Sequence, residues 1–362
     1  MKITTLSNQI IFLFIILVLA NHCFLVSSNL ETDVAKCTSK TLGPCHDKNK
    51  AHKYKYIAIT TILVASIIGV SLPLFTRSMP SFQPDKSPFL LIRAFASGVI
   101  VATGFMHVMP DSWNDLTSPC LPNNPWKVFP FTPFITMISA YGTMMMDSFS
   151  TSYFERNNNR NNNNNEFKEQ IGNKIGDDIS ELGLENQNNQ NLQEVCEKND
   201  SKLLKDRVIA QVLEVGIVVH SVVIGLSMGA SQNECTIKPL IAAISFHQLF
   251  EGMGLGGSIL QAEYGVKMKT TMVTFFSITT PIGIILGMML QKVYKENSPK
   301  SLIIVGVLNA ISAGMLIYMA MVNLLSTDFK GTKLQSNMKL QFWCYVLALL
   351  GSGLMSFMAK WA

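Results

Sequence analysis

The sequence predicts an all-α polytopic membrane protein with eight transmembrane helices. Three observations carry that prediction. Hydrophobic residues make up 48% of the 362 and charged residues only 15%, against about 25% charged in ordinary soluble domains. The apolar residues are gathered into blocks and do not recur with the period of a half-buried surface helix. Eight of these blocks reach the span of about 20 residues that crosses a hydrocarbon core at about 1.5 Å per residue. The net charge of +5 arises between the blocks. No basic face is therefore assembled for a nucleic acid.

In chain order, residues 1–28 open with Lys2, continue through an apolar core from Ile10 to Ala20 and close on Val26-Ser27-Ser28. That layout is a secretory signal peptide, the alternative being a ninth span with a short core. Residues 29–55 form a polar extracellular segment holding Cys37 and Cys45, which can pair in an oxidising compartment or stay as two thiols. Spans follow at 56–76, 90–110 and 131–153, then at 208–229, 239–260, 268–291, 301–325 and 340–360. The segment 154–207 separates spans 1–3 (56–153) from spans 4–8 (208–362). Its Asn runs, 157–159 and 161–165, are followed by many Glu, Gln and Lys. Such a composition buries too little apolar surface to fold alone, so it reads as a disordered cytoplasmic loop.

Orientation follows from charge. With the N-terminus outside, the loops on the inner side hold fifteen Lys and Arg, against six on the outer side beyond the N-terminal segment. The positive-inside rule then places both termini outside. Lys48, Lys50, Lys53 and Lys55, just before span one, run against the rule, and a cleaved signal peptide would override them. Cys120 and Cys235 fall in short outer loops and are a second candidate pair.

Span five carries His247, Gln248 and Glu251 near its middle, and span four carries His220 and Ser221 near its own. Ionisable groups at that depth cost about 2.5–3.5 kcal/mol each on insertion scales and tend to mark a substrate path. His247 and Glu251 stand at i and i+4, on one helix face. An imidazole and a carboxylate so placed are half of a site for a divalent ion. The short connection between spans four and five makes them antiparallel neighbours, which brings His220 to the same level. Three protein ligands with open positions suit an ion that must leave again. The competing reading is that these residues hydrogen-bond one helix to another. Gly216, Gly225 and Gly229 in span four, and Gly252, Gly254, Gly256 and Gly257 in span five, would let helices approach closely. His107 and Asp111, again i and i+4, are either an access site at the outer end of span two or a solvated helix end shaped by Pro110. Asp147 in span three and Glu214 in span four either line an exit route or pair across helices.

The runs His220-Ser221-Val222-Val223-Ile224-Gly225-Leu226-Ser227-Met228-Gly229 and Ser245-Phe246-His247-Gln248-Leu249-Phe250-Glu251-Gly252 resemble helices four and five of the ZIP zinc/iron-regulated transporters, in their plant branch. Phe105-Met106-His107-Val108-Met109-Pro110-Asp111, Thr279-Thr280-Pro281-Ile282-Gly283 and the run from Ser312 to Ala320 extend the resemblance over all eight spans. It implies eight helices with both termini outside, a plasma-membrane location, a homodimer, and alternating access that moves divalent ions into the cytoplasm. By residue it implies a main site at His220, His247 and Glu251, an adjoining one at Ser221, Gln248 and Glu251, and outer positions at His107 and Asp111. Three departures are visible. The long loop is rich in Asn, where many relatives have His. Ile224 stands where many relatives carry a carboxylate, which argues against a bridged two-metal site. Asn323 stands where plant relatives often have Asp, on the inner exit.

The leading functional expectation is thus an importer of divalent metal, with no prosthetic group and with the bilayer and the ion as its partners. Neutral imidazole accepts several first-row metals, so Zn2+, Fe2+, Mn2+ and Cd2+ all qualify as cargo. The alternative from another class is an intramembrane zinc enzyme. It lacks the His-Glu-x-x-His motif that supplies a general base. Nothing in the residues favours a non-transporting scaffold.

Overall fold

The computed structural model describes residues 48–76, 86–174, 186–231, 233–290 and 298–359. The expected signal peptide, Cys37 and Cys45 lie outside those residues. Among the described residues there are eight long helices and no strand. They are α1 (Lys48–Thr76), α2 (Ser87–Leu116), α3 (Phe131–Lys174), α4 (Asn186–Ala230), α5 (Glu234–Gln261), α6 (Val266–Leu290), α7 (Pro299–Phe329) and α8 (Met338–Met358). Each contains, to within a few residues, one of the expected spans.

The longest departures lie around the polar segment. α3 runs to Lys174 and α4 begins at Asn186, so residues 154–174 and 186–207 are helical where a disordered loop is expected. Extending an existing helix adds one hydrogen bond for each residue ordered, without a new nucleus, and the Glu, Gln and Lys of this stretch are good helix formers. Propensity does not account for the Asn run.

Among the described residues six helices are long and apolar enough to cross a membrane: α1, α2, α4, α6, α7 and α8. α3 and α5 fall short of that measure for different reasons. α5 places His247, Gln248, Glu251 and four glycines where a plain span would carry Leu or Ile. α3 interleaves hydroxyl residues that face α7: Thr136 donates to the Ala310 carbonyl at 3.2 Å and Ser139 to the Ile311 carbonyl at 2.7 Å. In both, these polar side chains are turned towards the rest of the bundle.

α5 packs against α1, α2 and α4; α4 packs against α6, α7 and α3; α2 packs against α8 and α7. The glycines permit the closest of these approaches. A Cβ on Gly252 would meet the Val70 amide nitrogen of α1 at 2.8 Å, and one on Gly225 would meet the Thr280 carbonyl oxygen of α6 at 2.7 Å. An apolar core built on Ile100, Leu213, Ile217, Leu255, Phe276 and Leu316 joins α2, α4, α5, α6 and α7.

The two ends of the bundle differ chemically. At one end, Cys120 follows α2 and Cys235 opens α5, and each is disulfide-bonded. Nearby, the Lys55 ammonium, 1% exposed, donates to the Gly229 carbonyl at the C-terminus of α4, at 2.7 Å. A cation is favourable there because the last carbonyls of a helix lack partners and carry partial negative charge. Lys55, which runs against the positive-inside rule, therefore serves as a helix cap. At the opposite end Arg93 of α2 pairs with Asp328, the second residue of the last turn of α7, at 3.1 Å. Tyr264, between α5 and α6, donates to the Arg207 carbonyl at 2.8 Å. Burial pushes its hydroxyl well above the usual range, which keeps it a neutral donor.

Candidate metal site

Two helices supply the centre of the site. His220 stands on α4, and His247 and Gln248 stand about one turn before Glu251 on α5. All four are buried, Glu251 completely. His247 Nε2 lies 3.1 Å from Glu251 Oε2, as the i, i+4 spacing requires. The His220 and His247 rings are edge to face with centroids 5.2 Å apart. One ligand atom from each of His220, His247 and Glu251 falls within 4.8 Å of the others. Donors that close can converge on one ion, since metal–nitrogen and metal–oxygen bonds to zinc are about 2.0–2.2 Å.

The hydrogen bonding separates two readings of this cluster. If these residues served to bond helix to helix, their polar atoms would be paired. Instead both nitrogens of His220, the Ser221 hydroxyl, His247 Nε2, both amide atoms of Gln248 and both oxygens of Glu251 are buried with no hydrogen-bond partner among the described residues. Buried polar atoms are almost always satisfied, and each orphan costs about 1–3 kcal/mol. Of these eight, all but the Gln248 amide nitrogen and the one protonated nitrogen of His220 can offer a lone pair to a ligand. Two imidazoles, a carboxylate, an amide oxygen and a hydroxyl all present lone pairs, which is the chemistry of a cation.

His107 belongs to this centre more than to the outer end where the sequence reading puts it. Its ring is 5.8 Å from that of His220 and 6.2 Å from that of His247, both edge to face, and its Nε2 is buried without a hydrogen-bond partner among the described residues. A π-helical turn over Thr103–Val108 makes the difference. Pro110 has no N–H to continue the regular ladder, and the Met109 N–H bonds instead to the Gly104 carbonyl five residues back. Such turns re-aim side chains and are frequent at functional sites. Asp111 keeps the expected relation, with Oδ2 3.5 Å from His107 Nδ1 and 45% of its side chain exposed. The i, i+4 pair thus runs from a buried imidazole to a half-exposed carboxylate.

Asp147 is buried and its Oδ2 accepts a hydrogen bond from Tyr318 of α7 at 3.1 Å, while Oδ1 has no hydrogen-bond partner among the described residues. This is the cross-helix pairing anticipated as one of two roles. Glu214 and Asn323 are buried as well, at 2% exposure each. The Asn323 amide contacts Met319 Sδ at 3.0 Å, within a second π-helical segment over Met319–Ser326. Ile224 packs with Ala58, Ile62, Met228, Ile244 and Ile284, so an apolar wall stands where a bridging carboxylate would be needed.

Sequence reasoning missed Thr103. Its hydroxyl lies 3.2 Å from His247 Nδ1. The available signal was its place four residues before His107, on the same face of α2.

Residues 52–359 match the model of the family described as ZIP zinc transporter. The chain belongs to the ZIP family. The match takes in all eight helices of this ZIP protein. Its sequence is 53% identical to zinc transporter 7 of Arabidopsis thaliana over 341 residues, 93% of each chain. It is 52% identical to Fe(2+) transport protein 1 of Oryza sativa subsp. japonica over 325 residues, 88% of this chain and 87% of that one. Fe(2+) transport protein 1 of Arabidopsis thaliana is 50% identical over 348 residues, 96% and 97% of the two chains. The resemblance read from the helix motifs is thereby borne out, including its plant character.

Proposed function

We propose that this protein is a multi-pass transporter that carries divalent metal ions, zinc and ferrous iron first among them, into the cytoplasm across the plasma membrane. The observation that carries this reading is the set of buried, unpartnered ligand atoms on His220, His247, Glu251, Gln248 and Ser221. Family membership and relatives named for both zinc and Fe(2+) transport support it. An intramembrane zinc enzyme finds no support in that family.

In this reading all eight helices span the bilayer, with both termini outside. The disulfide-bonded Cys120 and Cys235 support that orientation, because disulfides persist in oxidising compartments. Large apolar side chains exposed on the helices, such as Phe75, Met289 and Leu349, form the lipid-facing surface. Asp111 collects the ion at the outer mouth and His107 passes it to the centre. There the ion trades part of its hydration shell for imidazole nitrogen and carboxylate oxygen, and Glu251 supplies the negative charge that offsets the loss of water. Gln248 and Ser221 adjoin this site as weaker, neutral ligands. Rearrangement of one helix group against another then opens the way towards Glu214, Asp147 and Asn323. Mn2+ and Cd2+ are further cargo for the same donor set. The protein works as a homodimer.

The test is uptake of zinc and iron by a transport-deficient cell. His247→Ala and Glu251→Ala are each expected to abolish uptake while the amount of protein at the surface is unchanged. Wild-type uptake by both variants would sink the site assignment.

A further inference from the structure

We propose that Thr103 is a positioning residue that fixes the tautomer of His247 and so aims its Nε2 lone pair at the ion. The inference rests on the metal site proposed above and adds a residue outside the ligand set.

The geometry is a short relay. The Thr103 hydroxyl, fully buried, donates to the Val99 carbonyl at 3.0 Å. A hydroxyl has one proton to give. With that proton committed to Val99, the oxygen can only accept from His247 Nδ1, 3.2 Å away. Nδ1 then carries the imidazole proton and Nε2 is left with its lone pair. The other end of the ring agrees. His247 Nε2 is 3.1 Å from Glu251 Oε2, yet neither atom makes an aligned hydrogen bond. A proton on Nδ1 has an acceptor, whereas a proton on Nε2 has none so well placed. Metal-bound imidazoles commonly give their second N–H to a fixed acceptor, which sets the ring's tautomer and orientation. Here the acceptor comes from a different helix. Thr103 opens the π-helical turn of α2 and His247 stands on α5, so the relay also ties the position of the ligand to the packing of α2.

The experiment compares Thr103→Val, which keeps the shape and removes the hydroxyl, with Thr103→Ser, which keeps the hydroxyl. Equilibrium zinc binding is measured on the purified full-length protein, and zinc uptake is measured in cells at matched surface amounts. Thr103→Val is expected to weaken zinc binding by about 10- to 100-fold, the range found when such supporting partners are removed. In uptake this appears as a raised half-saturating zinc concentration with little change in maximal rate. Thr103→Ser is expected to restore wild-type binding, which a loss of packing would not allow. Wild-type binding by Thr103→Val, alongside lost binding in His247→Ala, would overturn the role of Thr103 and leave the site intact. Equal losses in Thr103→Val and Thr103→Ser would overturn it too, because the hydroxyl would not be the group that matters. Wild-type binding by His247→Ala would sink the metal site and this inference together.

Discussion

At the residue scale, the imidazole of His107 has the most to decide. Its ring faces both His220 and His247, while Asp111 on the next turn is nearly half exposed. The two members of one i, i+4 pair should therefore fail differently. His107→Ala is expected to weaken equilibrium zinc binding of the purified protein by about tenfold or more, since it removes a nitrogen donor that can reach the ion or support its ligands. Asp111→Asn should leave that affinity nearly unchanged and slow uptake at low zinc, with a loss that shrinks as salt is added, as expected of a charge that steers ions to a mouth. Equal effects of both variants on affinity would return His107 to an access role. The spacing of His107 and Asp111 was legible in the sequence. The place of His107 beside His220 and His247 was not, because the π-helical turn that holds it packs Gly104 against Ile317 of α7, a residue far away in the chain.

At the scale of elements, α5 is held by close backbone approach on one flank and presents ligands on the other. Gly252 follows Glu251 directly, and any Cβ there would strike the α1 backbone at Val70. Backbone cannot give way as a flexible side chain can, so Gly252→Ala is expected to cost about 1–3 kcal/mol of stability through overpacking. A lowered midpoint of thermal unfolding in detergent, with a parallel loss of zinc uptake, is the result to look for. An unchanged midpoint would mean that α1 and α5 can separate at no cost. The same glycines, with His247, Gln248 and Glu251, keep α5 below the apolar measure that six other helices pass. The helix that carries three of the site's polar residues is thus one of the two that fall short, and those residues are buried inside the bundle.

At the scale of the whole molecule, one end carries the disulfide-bonded Cys120 and Cys235, and the opposite end holds a largely buried ion pair. Arg93 is 5% exposed and Asp328 13%, and Asp206 of α4 interacts electrostatically with both. These charges join α2, α4 and α7. Removing one partner of a buried pair leaves an uncompensated charge, at a cost of about 3–5 kcal/mol. Arg93→Met is therefore expected to lower thermal stability strongly, and Arg93→Met with Asp328→Leu to recover much of the loss. A double variant no more stable than Arg93→Met would show that the pair is not what holds that end together.

The sequence by itself determined the membrane class, the eight apolar blocks, the ligand types and the i, i+4 spacing of His247 and Glu251. These properties are local: hydropathy over about 20 residues and a period of 3.6 need no knowledge of neighbours. It also located His220 at the matching depth of α4, because a short connection forces adjacent helices to run antiparallel. Tertiary structure alone decided the rest. It brought His107 into the centre, set Thr103 behind His247, paired Arg93 with Asp328 and turned Lys55 into a cap for α4. Each of those contacts joins residues far apart in the chain, and their partners are chosen by which helices pack together. Above all, only the assembled bundle showed that the polar atoms of His220, Gln248 and Glu251 find no hydrogen-bond partner among the described residues.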